Sequence, residues 1–426
     1  MPRRQCTKTK TNAAKSSNQI RIPISREEYD AMVNDRQQFR VQLEQLIVAY
    51  PELFPVDIDQ GYQLYGFSRP SVKMPHVKRR RIRLAASDER ASRLYTIVPS
   101  FVLPYMAGDT DEVEKALFLR RFGVPFWGLT YVFGRNDMYW QRLVAQLGRN
   151  DLVGTTLKDP DLLPEHLLAD EKHTRLNGDK AYIATTVAHD CVLGVSMALT
   201  ADELALTEAY GHFKHEAQRL NPDYQPQTVN TDGWSATQLA WGTLFPLIVI
   251  IQCFLHAFIT IRSRCKRLKE VFPEIKQRVW DIYHAAQLES FKDQINELGN
   301  WASQQLSGRP LEAVLKLCAK GDVFALAFDH PKAHRTSNMI DRHLDPLDRC
   351  LYSAHYFHGH LMSAEYQLRA WALFHNFQLY CPRAKIREHF QSPFHQLNGF
   401  VYHDNWLQNL LVATSLGGCN ATNSIR

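Results

Sequence analysis

Three aspartates are the residues of this chain best placed to do chemistry. Asp170 lies inside the strand-like run HLLADEKHTRL, Asp232 follows TVNT at the carboxyl end of a second apolar run, and Asp341 opens a helix in TSNMID. A charge inside a strand-like run is costly unless it meets solvent, a partner or a metal. Ligand sites of open sheets gather at the carboxyl ends of strands. Carboxylate oxygens are the hard donors that magnesium selects. Two such ions about 3.5–4 Å apart stabilise both the attacking and the leaving oxygen of an in-line phosphoryl transfer. Each acid also has an ordinary reading. Asp170 fits an edge-strand surface charge, Asp232-Gly233 fits a turn dipeptide, and Asp341 stands three residues after Asn338, close to a capping box. Their order along the chain, and the elements that carry them, join them into one candidate site.

The runs HLLADEKHTRL, KAYIATTVAH and CVLGVSMAL read as three strands, with turns at Asn177-Gly178 and around Asp190. A helix (ADELALTEAYGHFKHEAQRL), the strand PQTVNT, a short helix (SATQLAWGTL) and the strand LIVIIQ follow. A meander and then crossover units predict an α/β fold: an RNase H-like mixed sheet with helices on both faces. We assign it to 160–345, interrupted by an all-α insertion at 257–318 after the last core strand. VFALAF then reads as a returning strand. Asp345-Pro346 predicts the end of the helix that Asp341 opens. The apolar stretch LFPLIVIIQCFLHAFITI approaches the roughly 20 residues a bilayer span needs, but Pro246, Gln252 and His256 interrupt it. It reads as a buried strand running into a helix, with no membrane partner.

Upstream, residues 1–23 read as a disordered basic tail, and 24–150 as an N-terminal helical DNA-binding region with a basic linker. Residues 24–50 have helix-like apolar spacing. Residues 51–95 look irregular and hold Lys78, Arg79, Arg80, Arg81 and Arg83. Three short helices are predicted over 111–147, with Gly134 ending one and Asn136 or Asp137 capping the next. That pattern is compatible with a helix-turn-helix reader, though on pattern alone a plain helical bundle is the commoner outcome. Residues 346–426 read as a C-terminal helical region: LMSAEYQLRAWALFHNF and a polar tail.

The net charge is +6, and the first 26 residues hold seven Lys and Arg (Arg3, Arg4, Lys8, Lys10, Lys15, Arg21, Arg26) and no acid. Such runs attract phosphate backbones by counterion release; a solvated tail explains them as well. The eight cysteines are scattered without C-x-x-C spacing, which suits a reduced intracellular compartment. Hydrophobic residues at 45% can bury a core, and 426 residues exceed one ordinary domain.

Cys253 and His256 form a C-x-x-H pair after LIVIIQ. A zinc site would need two more ligands, with Cys265 and His284 the available ones; a buried thiol and a satisfied imidazole explain the pair without metal. His355, His358 and His360 are read as DNA-facing or structural. Arg335 and Arg342 flank Asp341 and could grip a phosphate, or be surface charge.

The sequence NTDGW, then FPLIVIIQCFLH, then a long helical stretch, then TSNMIDR resembles the DDE-type insertion-sequence transposases of the Mutator-like superfamily, C-x-x-H subgroup. PFWGLTYVFGRNDMYWQRL, RAWALFHNF and YHDNWLQNLLVATSLGG extend the resemblance over most of the chain. It implies Asp170, Asp232 and Asp341 as catalytic ligands of Mg2+ (or Mn2+), with Cys253 and His256 as companion motif. It also implies DNA strand cleavage and strand transfer on double-stranded DNA, the element's terminal repeats and its target. Lys78, Arg79, Arg80, Arg81, Arg335 and Arg342 are the candidate DNA contacts. The resemblance further implies a homo-oligomer on DNA and a cytoplasmic, nucleoid-associated location if the source is bacterial. The third acid of such enzymes is usually glutamate, one methylene longer, which leaves Asp345, Asp348 and Glu365 as rivals. A transposase-derived DNA-binding protein without catalysis, or a purely hydrolytic RNase H-like nuclease, are the alternatives.

Overall fold

Residues 19–22 read QIRI, and the computed structural model, which describes residues 17–85 and 92–419, makes them a strand, β1 (Gln19–Ile22). The expected tail therefore does not reach 23; its residues 1–16, with Cys6, lie outside the described residues. Ser25 and Glu28 form a reciprocal cap that opens α1 (Arg26–Met32). Asp35 caps α2 (Arg36–Ala49), which buries Phe39, Leu43 and Leu46.

The expected irregular linker at 51–95 is instead sheet: β2 (Tyr62–Phe67), β3 (Arg80–Leu84) and β4 (Arg93–Pro99), in the order β1-β4-β3-β2. β1 runs parallel to β4, and the other pairs are antiparallel. RRIRL alternates, so Arg80, Ile82 and Leu84 are buried while Arg81 and Arg83 take the opposite face. The predicted short helices follow as α3 (Glu114–Arg121), α4 (Phe126–Phe133) and α5 (Asp137–Leu147). Gly134 closes α4 at φ +71°, and the Asn136 side chain caps α5 by accepting from the Tyr139 N–H. α6 (Leu152–Thr156) ends this stretch.

β5 (His166–Leu176), β6 (Asp179–Ala188) and β7 (Cys191–Ala198) form the expected meander. Asn177 and Gly178 turn at φ +54° and +90°, His189 and Asp190 at +50° and +60°, the left-handed pairs that suit two-residue hairpins. α7 (Glu203–Leu220), β8 (Thr228–Thr231), α8 (Ser235–Leu244) and β9 (Val249–Gln252) complete a mixed sheet ordered β7-β6-β5-β8-β9. β5, β8 and β9 are parallel; β6 and β7 are antiparallel additions. The apolar stretch at 244–261 is thus the end of α8, β9 and the start of α9 (Phe254–Cys265), and among the described residues no helix is long and apolar enough to cross a membrane.

With α9, helices α10 (Phe272–His284), α11 (Leu288–Gln305) and α12 (Gly308–Cys318) build the insertion around Phe258, Ile261, Val279, Phe291 and Leu298. VFALAF is not a strand: it forms α13 (Gly321–Ala325) and a 3-10 turn, with Phe324 packed into that helical core. α14 (Asn338–Ser353) does not stop at Asp345. Pro346 forfeits one backbone bond, but Leu344, Leu347, Cys350 and Leu351 are buried on one face and carry the helix past it.

α15 (Leu361–Phe377), α16 (Pro393–Asn398) and α17 (Trp406–Ala413) follow. The expected polar tail is wrong: every residue of α17 is buried. The chain divides into one unit of Met1–Arg120, Phe126–Pro160 and Tyr366–Arg426, and a second of Arg121–Pro125 and Asp161–Glu365. The first closes across great sequence distances. The Arg21 N–H donates to Ser415 Oγ at 3.0 Å, and Ser415 Oγ donates to the Leu53 carbonyl at 2.6 Å.

Candidate active site

All three aspartates belong to the second unit. Asp170 lies in β5, opposite Thr185 of β6. Asp232 follows the last residue of β8, and Asp341 lies in the first turn of α14. Burial pushes the Asp170 carboxyl up to about 6, and the Asp232 charge, then the Asp341 charge, push the same way. The three acids therefore share one electrostatic neighbourhood. No lysine or arginine pairs with any of them among the described residues.

Local bonds place each acid. Asp170 Oδ1 accepts the Glu171 N–H at 2.8 Å. Asp232 Oδ1 accepts the Trp234 N–H at 2.9 Å, the turn its Asp-Gly context suggested, with Gly233 at φ +94°. Asp341 is held from Ser337, not Asn338. Ser337 is the N-terminal flanking residue of α14, and its hydroxyl lies 3.4 Å from Asp341 Oδ2.

Cys253 is where the second and third acids are tied together. It follows β9, and its N–H donates to the Thr231 carbonyl at 2.7 Å, beside Asp232. Its sulfur accepts the Ser337 N–H at 3.2 Å and lies 3.3 Å from Ser337 Oγ. The Asn230 amide also donates to the His334 carbonyl at 2.9 Å. The segment entering α14 is thus stitched to the ends of β8 and β9. Cys253 is engaged structurally, and Cys265, buried in the insertion core, and His284, against Trp280 and Tyr283, do not complete a zinc site. His256, three residues on, is raised to about 9 by the Cys253 sulfur, against burial and aided by the Cys253, Asp232 and Asp170 charges. Its Nδ1 is buried with no hydrogen-bond partner.

The donor chemistry of the three carboxylates fits a divalent cation: hard oxygens, half-buried at Asp170 and Asp232 and exposed at Asp341, with their charge uncompensated by any basic ion pair among the described residues. Their coordination is not assembled, since among the described residues no group of three or more His, Cys, Asp and Glu has metal-holding geometry. Two rival third acids are engaged elsewhere: Asp348 pairs with Lys172 at 2.6 Å, and buried Glu365 accepts from Ser196 Oγ at 2.8 Å. Asp345 and Asp341 are both exposed; it is Asp341 whose charge acts on the Asp170 carboxyl.

The candidate phosphate grips separate. Arg335 is drawn inward, its guanidinium 5.0 Å from both the Tyr283 and the Phe328 ring centroids. Arg342 is 70% exposed, 3.7 Å from Asp190. In the first unit, Lys78 donates to Asn34 Oδ1 and Arg79 to the Arg69 carbonyl. Arg80 is buried and donates to the Val33 carbonyl at 2.6 Å, which marks it as a core residue. Arg81 and Arg83 lie over the exposed Tyr65 ring at 5.2 and 3.8 Å.

Two groups at the site carry no signal in the sequence motifs. Glu171, on the opposite face of β5 from Asp170, accepts from Tyr210 Oη at 2.7 Å and Thr237 Oγ1 at 2.6 Å. The acid pair DE in a strand was visible, but not the two hydroxyls that bury it. Lys320, contributed after the insertion, donates to Gln252 Oε1 at 2.8 Å. No protein-family profile matches this chain, and comparison with curated proteins finds no significant match.

Proposed function

We propose that this chain is a metal-dependent DNA strand transferase of the transposase type, with an RNase H-like catalytic sheet. The observation that carries the reading is the shared field at Asp170: a half-buried carboxyl in a strand, raised first by burial and then by the charges of Asp232, at a strand end, and Asp341, at a helix start. The strand order β7-β6-β5-β8-β9, with the acids at β5, after β8 and on a later helix, supports the same reading. Asp170, Asp232 and Asp341 would hold Mg2+ or Mn2+. Such ions activate a water or a 3′-hydroxyl and stabilise the departing oxygen.

The chain's own part is positioning and charge. Trp234 N–H orients Asp232, while Ser337 orients Asp341. Cys253 keeps both segments at the end of β9. His256, favoured as the imidazolium, offsets part of the carboxylate charge before the cation enters. Cleavage breaks a P–O bond by water attack and frees a 3′-hydroxyl. Strand transfer lets that hydroxyl attack a target phosphodiester, and the displaced target oxygen leaves. Half-buried Arg81 and Arg83 of the first unit would bind phosphate backbone without reading bases.

The test is Mn2+- or Mg2+-dependent nicking and joining of duplex DNA that flanks the coding sequence. Wild type should cut and join, and Asp232→Ala should do neither while still binding. Equal cutting by both would remove the site. Binding without any cutting by wild type would leave a DNA-binding derivative, and cutting without joining a hydrolytic nuclease.

A further inference from the structure

The insertion returns a cation to the carboxylate edge. Lys320 lies 68 residues after Gln252, yet its Nζ donates a 2.8 Å hydrogen bond to Gln252 Oε1. Gln252 is the last residue of β9, adjacent to β8. A Cβ placed on Gly233 would lie 3.3 Å from that same Oε1 and 3.7 Å from Lys320 Nζ. The ammonium therefore sits beside the residue that follows Asp232.

Among the described residues its charge has no ionic partner, and its one side-chain hydrogen bond is to a neutral amide. Arg335, the nearer candidate in sequence, is held between two aromatic rings. A half-buried ammonium with free donor capacity, next to acids suited to a divalent cation, is complementary to a phosphodiester. Gly233 keeps that edge open, because a side chain there would crowd Gln252.

We propose that Lys320 grips a backbone phosphate of the DNA strand lying across the Asp232–Gly233 edge, with Gln252 holding the ammonium in place. This rests on the phosphoryl-transfer reading above. It assigns the insertion a role at the site: α12 and α13 flank Lys320 and deliver it.

The experiment compares full-length wild type, Lys320→Arg, Lys320→Met and Lys320→Gln on duplex DNA flanking the coding sequence, with Asp232→Ala as reference. Lys320→Gln removes the charge and keeps an N–H donor on a side chain one bond shorter, so it remains informative if Lys320→Met fails to fold. The binding constant is measured against salt, and nicking is measured in Mn2+. Loss of one phosphate contact should flatten the log–log salt slope by about 0.9. Lys320→Met and Lys320→Gln should show that change, with at least a tenfold higher KM for nicking; Lys320→Arg should keep the slope. An unchanged slope and KM in Lys320→Gln, with Asp232→Ala inactive, overturns the Lys320 assignment alone. Asp232→Ala cutting like wild type, or no binding or nicking by wild type, overturns the reading beneath it.

Discussion

The Tyr210 hydroxyl donates a 2.7 Å hydrogen bond to the Glu171 carboxylate, one residue from Asp170 and on the other face of β5. Thr237 of α8 donates to the same carboxylate at 2.6 Å. Two helices thus fix the strand that carries Asp170. Burial nonetheless pushes Glu171 up to about 7, against these two bonds and with help from the Asp170 and Asp232 charges.

Glu171→Gln should therefore stabilise the protein above neutrality. A carboxyl whose folded pKa exceeds its unfolded value binds more protons when folded. Its contribution is fully present below about pH 4.5 and is lost as pH rises to about 7. Removing the charge should raise the melting temperature at pH 8 by about 2–4 °C, equivalent to roughly 1 kcal/mol, and leave it nearly unchanged at pH 4.5. Thermal unfolding at both pH values measures this; an equal shift at each would contradict it.

Asp170 makes cation binding pH-dependent. With its carboxyl at about 6, protons compete with a divalent ion below that value. Calorimetric Mn2+ affinity should be nearly flat from pH 7 to 8 and fall up to about tenfold per unit below 6. Asp170→Asn should remove the binding while raising metal-free stability at pH 8. A variant that binds Mn2+ as wild type does would exclude Asp170 as a ligand.

The basic cluster should divide by face. Arg80→Ala removes a bond to the Val33 carbonyl and a guanidinium 5.3 Å from the Phe39 ring, so it should destabilise by about 1–3 kcal/mol. Arg81→Ala and Arg83→Ala, half-buried over Tyr65, should cost less, up to about 1 kcal/mol, and weaken DNA binding, each flattening the salt slope by about 0.9. Denaturant titration beside salt-dependent binding separates the two effects. Equal stability loss at all three positions would refute the division.

Two glycines should respond unequally to alanine. A Cβ at Gly148 would sit 1.8 Å from the Tyr366 carbonyl oxygen, whereas Gly178 has nothing within 4 Å. Gly148→Ala should cost more than about 3 kcal/mol through backbone displacement. Gly178→Ala should cost only about 1 kcal/mol, for its positive φ. Urea midpoints test this ordering.

The meander was legible because its turns are chemically explicit: Asn177-Gly178 is a two-residue hairpin sequence, and the structure turns there. α8 matches SATQLAWGTL from end to end. The β1–β4 sheet was not legible, because β1 has only four residues and the arginines of RRIRL masked its alternation. VFALAF was ambiguous, since a short apolar run suits a buried strand or a buried helix turn, and the insertion core decided it. At the site, element type was enough to select Asp170, Asp232 and Asp341. Ser337, which orients Asp341, lies 84 residues from Cys253, and no local pattern reports a bond over that distance. Lys320 was missed for the same reason.

The long-range closure of the first unit sets an order of events during synthesis. β1 emerges early from the ribosome, but its Arg21 N–H must wait 394 residues for Ser415. The second unit is nearly continuous, Asp161–Glu365, and all of it emerges before Tyr366–Arg426, the last segment of the first. A nascent chain therefore holds the sheet bearing Asp170 and Asp232 while the edge of β1 still lacks Ser415. A premature stop within α17 would leave that edge open and the second unit intact, so the two units differ in their exposure to truncation and to degradation before release.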